Sequence, residues 1–299
     1  MGSVYAALMA HAGLDVWAVD TWAEHIAAMS RDGLRISGAS GEKVMRLPAT
    51  TNAHDVGKAD LIIIATKASD VEGAATAAKT ILAKDGVVLT IQNGLGSADK
   101  VAAIVGADRV LVGVVGGFGA SIPKPGHVHH NGWEFLRIGE FGGGMTARLE
   151  KVAEAWRSGG FRVLLFDDIH QMVWEKFICN VAFSGPCALT GLTIGEVIAN
   201  PDAWHVSSKC ATEAFDVARA KGIKLEFDNA VDYVRTFGGK IPNARPSMLL
   251  DHMAKRRAEV SVINGAVPVV AKSVGLQAPV NTTVTALLLA RETQFPPGQ

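Results

Sequence analysis

Residues 61–66 read LIIIAT, an apolar run that stops at Thr66 and is followed at once by Lys67. A run this short, apolar throughout and rich in isoleucine, predicts a strand with both faces covered, as in parallel sheets. Outward from it, residues 71–84 are Ala-rich and helical, residues 87–91 (VVLTI) form a second such strand, residues 97–105 a second helix, and residues 110–115 a third strand. Strands alternating with helices predict an α/β layer with a parallel sheet. Residues 16–19 (VWAV) add a strand ending at Asp20, and residues 34–47, with Gly38 and Gly41 inside, read as a hairpin-like excursion. Residues 126–138 predict two more short strands, and residues 162–166 the last one.

Beyond Asp168 the alternation stops. Helical stretches cover residues 169–184, 203–222 and 247–267, punctuated by Pro201, Pro242 and Pro246. Pro246 suits the first turn of its helix, where a missing N–H costs nothing. The expected organisation is an α/β domain over residues 1–168 and an all-helical domain over residues 169–299. Residues 294–299 (QFPPGQ) read as a frayed tail.

Composition narrows the function. The 299 residues carry 29 Lys+Arg against 29 Asp+Glu, so no long-range field draws the chain to nucleic acid or to an anionic membrane. Lys255-Arg256-Arg257 is too short a basic run for a nucleic-acid patch. No apolar run approaches the ~18 residues of a membrane span, and no secretory leader is recognisable, so a cytoplasmic location is expected. Cys179, Cys187 and Cys210 are an odd number without a CxxC, which argues against a disulfide framework and a zinc site. His127, His129 and His130 place two imidazoles on one strand face, a spacing that can hold a metal, but with no cysteine near in sequence no metal is expected.

The first twenty residues resemble the back half of a dinucleotide-binding βαβ unit. Gly2-Ser3 opens a helix that ends at Gly13, a strand follows, and Asp20 stands where an acid receives the ribose hydroxyls. Two bland readings compete: a chain that simply begins with a helix, and Thr21-x-x-Glu24 as a capping box with Asp20 beside it.

The chemistry-bearing segment is Trp174-Glu175-Lys176-Phe177-Ile178-Cys179-Asn180, followed by Ser184. At four-residue spacing Lys176, Asn180 and Ser184 share one helical face, polar within an apolar surround. They meet either a ligand or a buried network of their own. Glu259, after Arg256-Arg257, is either a functional carboxylate or the partner of Lys255 on a helix surface. Lys67 and Asn93-Gly94 lie just past strand ends, where open α/β sheets bind ligands, although Asn-Gly also makes plain turns.

In their order, Gly2-Ser3, Asp20, Thr66-Lys67, Gln92-Asn93-Gly94, WEKFICN (174–180), PSML (246–249) and RAEVSVING (257–265) resemble the ketopantoate reductase family over nearly the whole chain. The W-x-K-x-x-x-N and E-x-x-x-x-N-G elements carry most of that likeness. The resemblance implies a Rossmann-type nucleotide-binding domain followed by a helical domain for substrate and dimerisation. It implies an oxidoreductase that reduces ketopantoate to D-pantoate with NADP as cofactor, on the way to pantothenate. Lys176 would then be the general acid and Glu259 its positioning carboxylate. Asn180, Ser184, Ser247 and Asn264 would attend the 2-keto acid substrate, with Asn264 mainly positioning, and Gly2, Ser3, Asp20, Lys67 and Asn93 the cofactor. A homodimer is the expected assembly. The alternatives are a related 2-keto acid substrate, a β-hydroxyacid dehydrogenase, which lacks the late E-x-x-x-x-N-G element, and a non-catalytic nucleotide-binding remnant.

Three departures accompany the likeness. The first strand of the Rossmann unit and the leading glycines of its turn are missing, so Met1 is expected to be an internal methionine and cofactor binding by this chain to be weak. Ser184 stands where the resemblance implies asparagine, which puts substrate identity in doubt. Asp20 would repel a 2′-phosphate and so favours NAD as the alternative cofactor.

Overall fold

Gly2 begins a helix that closes on Met1: the amides of Val4 and Tyr5 both donate to the Met1 carbonyl in the computed structural model, which describes residues 1–117, 119–132 and 135–296. This helix, α1 (Gly2–His11), leads through Gly13 (φ +86°) to the short strand β1 (Ala18–Val19) and helix α2 (Ala23–Asp32). Hairpin strands β2 (Leu34–Gly38) and β3 (Lys43–Met45) follow, then β4 (Ala49–Thr50). The expected alternation appears as β5 (Ala59–Ile64), α3 (Val71–Ile81), β6 (Leu82–Thr90), α4 (Ser97–Val105) and β7 (Val110–Val115). The part closes with β8 (Gly119–Lys124), β9 (His127–Gly132), β10 (Phe135–Glu140), α5 (Ala147–Ser158) and β11 (Arg162–Leu165). Residues 133–134, inside the expected strand pair at 126–138, and the tail end 297–299 lie outside the described residues.

Among the described residues, five strands pair in the order β11-β10-β7-β6-β5, with β5, β6 and β7 parallel and β10 antiparallel to β7. Four more pair as β3-β2-β9-β8, and β1 pairs only with β4. The separation of β1–β4 from the larger sheet explains two departures from expectation. LIIIAT is not covered on both faces: Ile64 is buried, while Leu61, Ile62 and Ile63 are half-buried. Strand β5 is the last of its sheet, and its outer edge helps to line a cavity of about 540 Å³ that Val16, Trp17, Val19 and Asp20 line as well. The expected strand at 16–19 shrinks to Ala18–Val19 because β4 alone supplies its ladder.

The core of this part gathers around an edge-to-face aromatic trio. Trp156 of α5 lies 4.9 Å from Tyr5 of α1 and 4.8 Å from Phe161, centroid to centroid, above the buried Leu89, Leu111, Leu136 and Ile138. The capping box at Thr21 does not form. Helix α2 starts at Ala23 with no side-chain cap, and Asp20 Oδ1 instead accepts from the Trp22 amide at 2.9 Å.

The histidine run is knitted into the small sheet. Ser37 Oγ meets His127 Nε2 at 2.8 Å and His129 Nδ1 at 3.0 Å, and Ser40 Oγ meets His130 Nδ1 at 2.6 Å. Burial holds His25, His127 and His130 below their ordinary value of 6.5, so the folded chain takes up protons less readily than the unfolded one. Stability from these groups is fully present above that value and is lost as pH falls through the lowered folded-state values. The melting temperature is expected to drop as pH is lowered from about 7.5 to about 5. A melting temperature that stays flat across that range contradicts the burial argument.

The chain divides into two compact units, one of residues 1–92 and 97–169, the other of residues 93–96 and 170–299. The helices that follow β11 are α6 (Ile169–Thr190), α7 (Ile194–Ala199), α8 (Pro201–Ala220), α9 (Ala230–Lys240), α10 (Ser247–Met253), α11 (Ala266–Ser273) and α12 (Pro279–Glu292). Helix α6 passes through Pro186, which has no N–H for the carbonyl of Ala182. The Ser207 hydroxyl of α8 donates to that carbonyl at 2.7 Å and takes the place of the missing amide. The single helix expected at 247–267 is instead α10, a 3-10 turn at Val260–Val262, and α11. Lys255 turns to φ +54°, and the Ala258 amide donates at 2.8 Å to Glu292 rather than to a helical carbonyl. A carboxylate from α12 thus outcompetes the next helical turn. No helix among the described residues is long and apolar enough to cross a membrane.

Candidate active site

Helix α6 is apolar on most of its surface, with Phe177, Ile178, Val181, Ala182 and Phe183 almost wholly buried. Its remaining face carries Lys176 and Asn180, both half-buried, and one turn further on the buried Ser184. Lys176 Nζ donates to Asn93 Oδ1 at 2.9 Å. Two motifs 83 residues apart in sequence therefore meet at one hydrogen bond.

Asn93 reaches this position because its loop is pinned from behind. Gly94 has φ +81°, and a Cβ there would stand 2.1 Å from the Val262 carbonyl oxygen, so only glycine fits. The Leu95 amide donates to the same oxygen at 2.9 Å. Val262 ends the 3-10 turn at Val260–Val262, and Glu259 is the residue at its N-cap, half-buried. The late motif thus bears on the lysine through the Gly94 loop, whose Leu95 amide and Gly94 backbone rest on Val262. Ser247 is exposed at the first position of α10.

Asn264 takes a different place from the one expected. It is fully buried, and its amide hydrogens go to the Val181 carbonyl at 2.9 Å and Asn281 Oδ1 at 3.0 Å. Asn281 in turn donates to Glu213 Oε2 at 2.8 Å and to the Cys210 carbonyl at 3.1 Å. Asn264 ties α6 to α12 and offers no surface to a substrate, so its assignment among the substrate residues is corrected to a structural one. The network behind it carries no spacing signal in the sequence, since its members come from α6, α8 and α12. Burial pushes the Cys179 and Cys187 thiols up to about 12, which leaves neither as a nucleophile near pH 7.

In the first unit the expected cofactor residues gather near the start of α1. The charges of Asp20 and Lys67 both act at Met1, and Gly2, Ser3 and Asp20 line one cavity. Gly2 faces Ala65 just past β5, but an added Cβ would sit 3.4 Å from the Ala65 Cβ, within ordinary contact. Close helix–strand packing is therefore not what requires glycine here. Lys67 and Asp20 are exposed. Gln92, the residue before Asn93, binds the end of β5 by donating to the carbonyls of Ile64 at 2.7 Å and Thr66 at 3.2 Å. A hydroxyl at a helix start, a carboxylate at a strand end and a nearby ammonium are the groups that a dinucleotide's pyrophosphate and ribose diol require, so the residues fit a nicotinamide cofactor. Sequence reasoning missed His25, which bonds Ser3 at 3.2 Å.

Comparison with known proteins gives a consistent result. The family model described as ketopantoate reductase PanE/ApbA matches residues 1–143, and its C-terminal counterpart matches residues 168–292. The chain is similar to the 2-dehydropantoate 2-reductase of Archaeoglobus fulgidus, 33% identical with 96% of this chain and 93% of that one covered. The corresponding protein of Halobacterium salinarum is 32% identical, with coverages of 96% and 94%. Among solved structures, a PanE/ApbA family ketopantoate reductase from Ralstonia eutropha superposes with a TM-score of 0.88 at 28% identity, covering 97% and 94%. A D-mandelate dehydrogenase, solved with NADH and anilino(oxo)acetate, superposes with a TM-score of 0.89 at 26% identity, covering 98% and 96%.

Proposed function

Because the chain belongs to the ketopantoate reductase family, we propose that it reduces the 2-keto group of ketopantoate to the alcohol of pantoate, with Lys176 as proton donor. The observation that carries this reading is the Lys176–Asn93 hydrogen bond, which orients an ammonium on the helix face that also carries Asn180 and Ser184. A bound nicotinamide dinucleotide supplies the hydride. Gly2, Ser3, Asp20 and Lys67 of the first unit are the residues that would hold it. As negative charge develops on the carbonyl oxygen, the Lys176 ammonium donates a hydrogen bond to it and then transfers the proton from Nζ. Charge that exists only in the transition state is where a preplaced cation contributes most. Asn180, one turn along α6, offers an amide for the substrate's hydroxyl or carboxylate, and Ser247 offers a hydroxyl. Glu259 holds the ammonium in place and compensates its charge when substrate is absent.

NADH is the cofactor that Asp20 favours. Its Oδ1 accepts from the Trp22 amide, and a carboxylate at the end of this strand suits a ribose diol and repels a 2′-phosphate. The NADH-bound dehydrogenase with the same fold points the same way. The test is oxidation of NADH and NADPH with ketopantoate. Asp20→Asn is expected to move the NADPH-to-NADH ratio of kcat/KM up by about tenfold, since one like-charge repulsion is removed. An unchanged ratio separates Asp20 from cofactor choice.

A second reading, a related 2-keto acid as substrate, is favoured by Ser184, whose hydroxyl is shorter than the amide implied at that position and is buried. Phenylglyoxylate assayed beside ketopantoate distinguishes the two by kcat/KM.

A further inference from the structure

His25 is almost wholly buried, and both of its ring nitrogens are engaged. Nδ1 lies 3.0 Å from the backbone nitrogen of Gly126, and Nε2 lies 3.2 Å from Ser3 Oγ. A backbone N–H can only donate, so Nδ1 is the acceptor and carries no proton. The neutral ring therefore bears its hydrogen on Nε2 and donates it to the Ser3 hydroxyl oxygen. With its oxygen already accepting, Ser3 turns its own O–H elsewhere, at the start of α1.

The arrangement is held from several sides. The Trp22 indole stacks on the imidazole at 5.2 Å with 15° between the planes. Gly126 sits at φ +74° with its added Cβ only 2.9 Å from Ala28 Cβ, so the turn before β9 is pressed onto α2. Burial lowers the His25 basicity, and the nearby Asp20 carboxylate offsets only part of that. Protonation of Nδ1 would set two donors face to face at Gly126, so the neutral tautomer is the stable one in this fold.

We infer that His25 is a positioning residue that orients the Ser3 hydroxyl as a donor to a phosphate oxygen of the dinucleotide. This rests on the placement of Ser3 at the cofactor. His25 touches no reacting atom and acts only through Ser3.

The experiment uses the full chain and fluorescence titration of NADH and NADPH, with the 15N resonances of His25 recorded in the ligand-free protein. Ser3→Ala is expected to weaken binding about tenfold, the worth of one hydrogen bond to a charged group. His25→Asn keeps an acceptor for the Gly126 amide but loses the donor to Ser3, and should weaken binding by a similar factor with little change in melting temperature. His25→Gln keeps the donor and should restore most of the affinity. The double variant Ser3→Ala/His25→Asn should bind no more weakly than Ser3→Ala alone, because the two act in series. The 15N spectrum should show hydrogen on Nε2 and none on Nδ1. Unchanged binding in Ser3→Ala removes Ser3 from the cofactor site and this inference with it. Weakened binding in Ser3→Ala with full affinity in His25→Asn, or additive losses in the double variant, overturns the role of His25 alone. A proton on Nδ1 also overturns it.

Discussion

Replacing Lys176 by alanine is expected to lower kcat with ketopantoate by about 10²- to 10⁴-fold, the range that a positioned general acid supplies. The substitution removes the ammonium of α6, the group that can both stabilise an alkoxide and give it a proton. Its neighbours Trp174, Phe177 and Ile178 hold the helix by burial, so the fold should survive the change. Cofactor affinity is expected to stay within about twofold, because an interaction made in the transition state is lost rather than one made in the ground state. Steady-state kinetics with a parallel cofactor titration reads both. A kcat loss smaller than tenfold would remove Lys176 from the proton-transfer role, and a protein with unchanged turnover would have its chemistry elsewhere.

Gly94→Val should be nearly as damaging without touching the lysine. The backbone at φ +81° is costly for a β-branched residue, and the new Cβ would lie 2.1 Å from the Val262 oxygen, a backbone atom with little room to retreat. Relief requires the loop to leave Val262, which breaks the Leu95–Val262 hydrogen bond and withdraws Asn93 from Lys176. An ammonium without its orienting acceptor is a looser donor, and misplacement of about 1 Å can cost around 10²-fold in rate. The expected result is a kcat loss of about that size with the helices intact by circular dichroism. Wild-type turnover in this variant would show that pinning of the loop does not matter to the lysine.

Periodicity and local chemistry already determined a good deal of this protein. The strands at 61–66, 87–91 and 110–115, the helices between them and the change to helix after Asp168 follow from side-chain patterns that act over a few residues. Lys176, Asn180 and Ser184 could be placed on one face from their spacing alone, because a helix has a fixed pitch. The positions of Asp20, Lys67 and Asn93 at strand ends were legible locally, whereas their assignment to a cofactor and the expected role of Glu259 rested on the motif resemblance.

Only the tertiary structure decided the rest, and in each case the cause is a partner distant in sequence. The stretch 247–267 breaks because Glu292 takes the Ala258 amide. Asn264 turns from the substrate to the core because Val181 and Asn281 take its amide hydrogens there. LIIIAT loses part of its cover because β5 stands at the end of its sheet. His25 carried no sequence signal, since its tautomer depends on an amide 101 residues away. Local propensity records what a residue prefers among its neighbours. A buried amide, carboxylate or ring nitrogen must instead find its hydrogen bond wherever the folded chain supplies one, and that requirement is met only once distant segments have come together.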